Sequence, residues 1–95
     1  MQITTDEIRG IVERLLADLD QSGNSTISVD WDYYWNVPLE QRYDPYQQPA
    51  ELTIGQLSDD WAELLGILQD KRPPIAYALV WLSSVLRAAG ETVVS

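Results

Sequence analysis

Ile27-Ser28-Val29-Asp30-Trp31-Asp32-Tyr33-Tyr34-Trp35-Asn36-Val37 alternates apolar and polar side chains with a period of two over most of its length. That period belongs to an extended strand, whose successive side chains point to opposite faces. It predicts that Ile27, Val29, Trp31, Tyr33, Trp35 and Val37 face inward, with the first five packing on the first and third helices of the chain. Ser28, Asp30, Asp32, Tyr34 and Asn36 are then expected to project to solvent. Eleven residues is long for a strand, so a bulge or bend near Tyr33-Tyr34 is expected. Pro38 ends the run because it cannot donate to a ladder.

Upstream of this stretch the period is helical. Ile8, Ile11, Val12, Leu15, Leu16 and Leu19 recur at intervals of three and four. Thr4 and Glu7 have the spacing of a capping box, so the helix is expected over about Thr5 to Asp20. Gln21-Ser22-Gly23-Asn24-Ser25 reads as a turn, with Gly23 or Asn24 able to take positive φ.

Downstream, Leu39 to Ala50 is rich in Pro, Gln, Tyr and charge and reads as a loop with one helical turn after Pro38. Leu52-Thr53-Ile54 alternates again, a short second strand antiparallel to the first and broken by Gly55. Ser58 has the character of an N-cap, with Asp59 and Asp60 in the first turn, where the helix dipole favours carboxylates. Trp61, Leu64, Leu65 and Leu68 make the apolar stripe of a helix ending near Gln69. Lys71-Arg72-Pro73-Pro74 stops it, and Pro74 suits the first turn of a last helix over Ile75 to Ala89, with Gly90 as its C′ residue. That helix is apolar almost all round, which places it at the centre of the fold or against a partner. The order α-β-β-α-α predicts an α+β fold: three helices packed on a small antiparallel sheet of one long and one short strand, in a single globular domain over residues 1–95.

The chain has 15 acidic and 6 basic residues, a net charge of -9, and neither His nor Cys. Absence of Cys excludes disulfide scaffolds, thiolate metal sites and a Cys nucleophile, and absence of His excludes the usual general base and most zinc sites. Strong negative charge disfavours nucleic acid or an anionic membrane as a direct ligand. The N-terminus lacks the basic and apolar regions of a secretory signal, and the apolar stretch Ile75 to Leu82 is too short to span a bilayer. A soluble cytoplasmic protein is therefore expected.

The charge is unevenly placed. Between Asp18 and Asp70 lie 11 acids and one base, Arg42, a net of -10, while the two ends together carry four acids and five bases. Six of the nine aromatic residues, Trp31, Tyr33, Tyr34, Trp35, Tyr43 and Tyr46, fall within the same middle segment.

Three groups of side chains have chemical potential. Asp18, Asp20, Ser22 and Gly23 have the opening spacing of a calcium loop, but Val29 stands where the bidentate Glu is required, so a helix end running into a polar turn explains them better. Asp30 and Asp32 lie on one strand face about 7 Å apart. With Glu40 or Asp44 they offer the alternative reading, a carboxylate-based divalent-metal or catalytic site. The favoured reading joins Asp30, Asp32, Tyr34 and Asn36 to Glu40, Tyr43, Asp44 and Tyr46 as a partner-binding face. Tyr supplies broad contact area with a polar tip, and interleaved carboxylates suit a surface rich in Lys and Arg. Asp59, Asp60 and Glu63 are accounted for by cap and dipole, and Trp61 and Trp81 are expected in the core.

In length, acidity and lack of cofactor the chain resembles bacterial immunity proteins that block nuclease toxins. Asp32-Tyr33-Tyr34 is similar to the Tyr-Tyr pair that colicin-nuclease immunity proteins present to their toxin, although those proteins are all helical and this pair lies in a strand pattern. Leu52-Thr53-Ile54-Gly55-Gln56-Leu57-Ser58-Asp59-Asp60-Trp61 looks like a motif of a family of small bacterial proteins with no assigned activity. The resemblance implies a small acidic protein-binding module, not an enzyme and without cofactors, that occludes a basic partner such as a toxin. The last helix offers a surface for a homodimer.

Overall fold

The fold is described from a computed structural model for residues 1–49 and 51–94, so Ala50, the end of the expected loop, lies outside the described residues. The first helix, α1, spans Thr5–Gln21 and begins as its capping box requires. Thr4 Oγ1 accepts the Glu7 N–H and Glu7 Oε1 accepts the Thr4 N–H, both at 3.1 Å. At its C-terminus Asn24 N donates to Leu19 O at 2.8 Å, with Gly23 at φ 83°. The residues of the calcium-loop spacing close their own turn: Ser25 Oγ donates to Asp20 Oδ1 and Ser22 Oγ to Leu19 O.

The sheet has two antiparallel strands, β1 Tyr33–Asn36 and β2 Thr53–Gln56, with Tyr33 opposite Gln56, Tyr34 opposite Gly55, Trp35 opposite Ile54 and Asn36 opposite Thr53. The long strand expected from Ile27 is therefore paired only over its last third. Its partner is four residues long and turns directly into a helix, leaving Ile27 to Asp32 without a ladder. Gly55 does not break β2. It lies inside it, because a Cβ at this position would fall on the ring of Tyr34. A single helical turn, α2 Leu39–Arg42, follows Pro38 as expected.

Helices α3, Leu57–Leu68, and α4, Ala78–Val94, pack on each other and hold the buried apolar residues Leu57, Ala78 and Ala88. α3 ends in a Schellman motif. Asp70 takes the left-handed conformation at φ 57°, Lys71 N donates to Gly66 O at 2.8 Å and Asp70 N to Ile67 O at 3.2 Å. In the connection, Arg72 pairs with Glu63 of α3 and lies 4.9 Å from the centroid of the Trp81 ring on α4, which meets Tyr77 edge to face. One guanidinium thus fastens α3 to α4 by charge and by cation–π attraction.

The architecture is α+β, with four helices where three were expected, the extra one being the short α2. Two boundaries of the last helix differ from expectation. It starts at Ala78, after Ile75-Ala76-Tyr77 form a turn, and it continues through Gly90, where a Cβ would meet open space, to Val94. A larger difference concerns α1, which was expected against the inward face of the strand: it buries none of its residues, and the principal packing of the fold is between α3 and α4 and between β1 and β2.

Candidate functional site

The orientation of β1 is the reverse of that expected from alternation. Asp32, Tyr34 and Asn36 turn toward the protein, whereas Tyr33 and Trp35 are 64% and 67% exposed. The cause is hydrogen bonding, which outweighs apolar burial here. Asp32 Oδ1 accepts the Ser58 N–H at 2.8 Å, Asp32 Oδ2 accepts from Ser58 Oγ at 2.9 Å and from Gln56 Nε2 at 2.8 Å, and Asp32 O accepts the Leu57 N–H at 2.7 Å. The first-turn donors of α3 are thus satisfied by a residue distant in sequence, while Ser58, the expected N-cap, is inside the helix and Gln56 in the cap position makes no side-chain cap. The hydrogen bond from Gln56, followed by the two from Ser58, holds the Asp32 carboxyl below its ordinary pKa.

Two positions further, Tyr34 crosses Gly55 and its hydroxyl donates to Asp60 Oδ2 at 2.6 Å. Asp60 is 9% exposed, and Ser84 Oγ of α4 lies 2.6 Å from the same oxygen. Strand, α3 and α4 therefore meet at one carboxylate. Burial, then the bond to Asp60, raises the Tyr34 pKa above its ordinary value, so the phenol remains a donor at neutral pH. The sequence accounts for Asp60 by cap and dipole. Its position in the first turn satisfies that role, and the contacts with Tyr34 and Ser84 add a second.

Asn36 completes this inner face. Arg42 Nη2 donates to Asn36 Oδ1 at 2.7 Å and to Val37 O at 2.6 Å, clamping α2 to the end of β1. Beyond it Asp44 Oδ1 accepts the Tyr46 N–H at 3.1 Å, which shapes the loop and leaves Tyr43 and Tyr46 exposed. Asp30 and Glu40 are exposed as well, and Asp44 is half-buried. Of the eight residues expected to form one face, Asp32, Tyr34 and Asn36 are engaged inside the fold. Asp30, Glu40, Tyr43 and Tyr46 are open to solvent.

The opposite sheet face carries Tyr33 and Trp35, two of the residues that alternation assigned to the inside, together with Ile54 of β2. Trp35 and Ile54 are directly opposed in the ladder, Tyr33 is on the same face, and Ile54 is 66% exposed. The reversal holds for Tyr33 and Trp35, whereas Ile27, Val29 and Trp31, further back along the alternating run, line a groove with Leu57 and Trp61 of α3 and Val85 and Leu86 of α4. The signal that was missed is the pairing of Asp32 and Tyr34 with the donors and carboxylate of α3.

On the inner side, a cleft of about 540 Å³ is lined by Tyr34, Arg42, Asp60, Tyr77, Trp81 and Arg87, among others. Its Ser–Asp pair, Ser84 and Asp60, lies close enough to share a hydrogen bond, but Ser84 Oγ also lies 2.7 Å from Trp81 O, a helix-internal acceptor. Among the described residues, no three His, Cys, Asp or Glu side chains come together in a way that would hold a metal ion. Trp61, expected in the core, is half exposed on α3, and Trp81 is partly shielded beneath Arg72. No helix among the described residues is long and apolar enough to cross a membrane. Comparison with family models, curated proteins and solved structures finds no match for this chain.

Proposed function

We propose that this chain is a small acidic protein-binding module that occludes a basic partner surface, in the manner of an inhibitor or immunity protein. The observation that carries the reading is the exposed face of two aromatic rings, Tyr33 and Trp35, with Ile54 beside them, on a sheet whose inner side is locked by hydrogen bonds. Large rings held on a rigid strand need little ordering when a partner covers them, and Tyr and Trp are the commonest anchors of such contacts. The net charge of -9, concentrated between Asp18 and Asp70, supplies a field that draws a Lys- and Arg-rich partner and rejects acidic ones. Asp30, Glu40, Tyr43, Asp44 and Tyr46 contribute the polar rim. Asp32, Tyr34 and Asn36 act through the scaffold, by fixing which face of β1 is presented.

The test is capture from native lysate at low salt with the unaltered chain and with a Trp35→Ala, Ile54→Ser variant. The expected result is a basic protein retained by the first and lost by the second, with retention falling as salt is raised. Equal retention by both chains would remove this face from the mechanism.

A further inference from the structure

The area of the chain does not suit a folded monomer. It exposes 8054 Å², whereas a monomeric protein of 10.8 kDa exposes about 5,500 Å², an excess of roughly 2,500 Å². The radius of gyration is 15.1 Å where about 12 Å is usual for this length. Among the described residues no side chain falls below 2% exposure.

Two features account for much of this. α1 is an isolated 17-residue helix on which Ile8, Ile11, Leu15 and Leu16 form one apolar stripe, each 42 to 60% exposed. A lone helix of that length is marginal in water and takes its stability from packing an amphipathic face. The second feature is an apolar groove of about 530 Å³ lined by Val29, Trp31, Leu57, Trp61, Val85 and Leu86, with Ser25 at its edge. Every copy of the chain carries both a ridge and a groove.

We propose that α1 docks into this groove on a second copy of the chain, reciprocally, to form a two-fold dimer. The chain itself supplies the occupant that fits: a helix with an exposed apolar stripe for an apolar groove. A reciprocal pair covers both features on both chains and closes the assembly. The excess area, taken from two chains, amounts to about 5,000 Å², within the range of obligate homodimers. The interface is distinct from the Tyr33, Trp35 and Ile54 face, so this inference is independent of the proposed function. The two copies carry like charge, so added salt strengthens the dimer, whereas it weakens binding of a basic partner.

Sedimentation of the full chain over a range of concentration and salt is the first measurement. The expected mass is twice 10.8 kDa, more fully populated at high salt. In a mixed sample of isotope-labelled and unlabelled chains, intermolecular contacts are expected between the Leu15 methyl groups and the Trp61 indole. Ile11→Glu with Leu15→Glu is expected to raise the dissociation constant by about a hundredfold or more, since carboxylates would enter an apolar groove. A monomer at all concentrations would overturn the proposal. So would a dimer through the exposed face of α4 without the Leu15–Trp61 contact, a contact found only within one chain, or a doubly substituted variant that still pairs normally.

Discussion

Asp32 caps a helix that begins 25 residues further along the chain, its carboxylate and carbonyl receiving the N–H groups of Ser58 and Leu57. Removing the side chain in Asp32→Ala takes the acceptor from the Ser58 N–H and hydroxyl and from the Gln56 amide, while the Leu57 N–H keeps the backbone carbonyl of residue 32. The thermal midpoint is expected to fall by a few degrees, with loss of protection of the Ser58 amide in hydrogen exchange.

The same carboxylate sets an acid limit. Its pKa is depressed in the folded chain, by Gln56 first and Ser58 second, so the unfolded chain binds the proton more tightly. Its contribution is fully present above the ordinary carboxylate value of about 4 and is lost as pH falls through the lower folded value. Asp32→Asn keeps a capping oxygen without titrating. The difference in thermal midpoint between the two chains is expected to shrink as pH falls below about 4. A constant difference would show that Asp32 does not titrate with folding.

Tyr34→Phe removes one of the two hydroxyl partners of the buried Asp60 carboxylate. A loss of about 1.5–3 kcal/mol is expected in denaturant unfolding, the range for hydrogen bonds to charged groups. The raised pKa of Tyr34 gives the opposite pH sign to Asp32. Its contribution is present below the ordinary phenol value of about 10 and is lost as pH rises through the folded value, so the phenylalanine variant is expected to lose less at alkaline pH.

Three glycine substitutions separate close approach from conformational freedom. Gly55→Ala places a methyl group on the Tyr34 ring and is expected to cost about 1–3 kcal/mol. Gly90→Ala meets open space within α4 and is expected to stabilise the chain by roughly 0.5–1 kcal/mol. Asp70→Gly relieves a left-handed residue at the end of α3 and is expected to stabilise by up to about 1 kcal/mol. Chemical denaturation of the three variants checks the order.

The α+β class, the capping box at Thr4 and Glu7, the turn at Gly23 and the antiparallel pairing of the two strands were legible because each rests on local chemistry. The side chosen by β1 was not. Alternation defines two faces and leaves open which is covered, and the choice depends on Ser58, Asp60 and Ser84, the first two from α3 and the last from α4. For the same reason the middle segment was recognisable as acidic and aromatic, while the inward turn of Asp32, Tyr34 and Asn36 was not. The separation of α1 was hidden too, because an amphipathic stripe reads alike whether its cover is the same chain or another.

The outward setting of the tryptophans has an optical consequence. Trp31, Trp35 and Trp61 are 44%, 67% and 47% exposed, whereas Trp81 is the most covered of the four, with a guanidinium over its ring. Emission of the isolated chain should therefore be dominated by indoles in water and be readily quenched by iodide or acrylamide. Trp35 lies on the face assigned to a basic partner, and Trp31 and Trp61 line the groove assigned to a second copy. Each association would thus move a different indole into shelter, and single Trp→Phe replacements would make the two events distinguishable by colour without any attached dye.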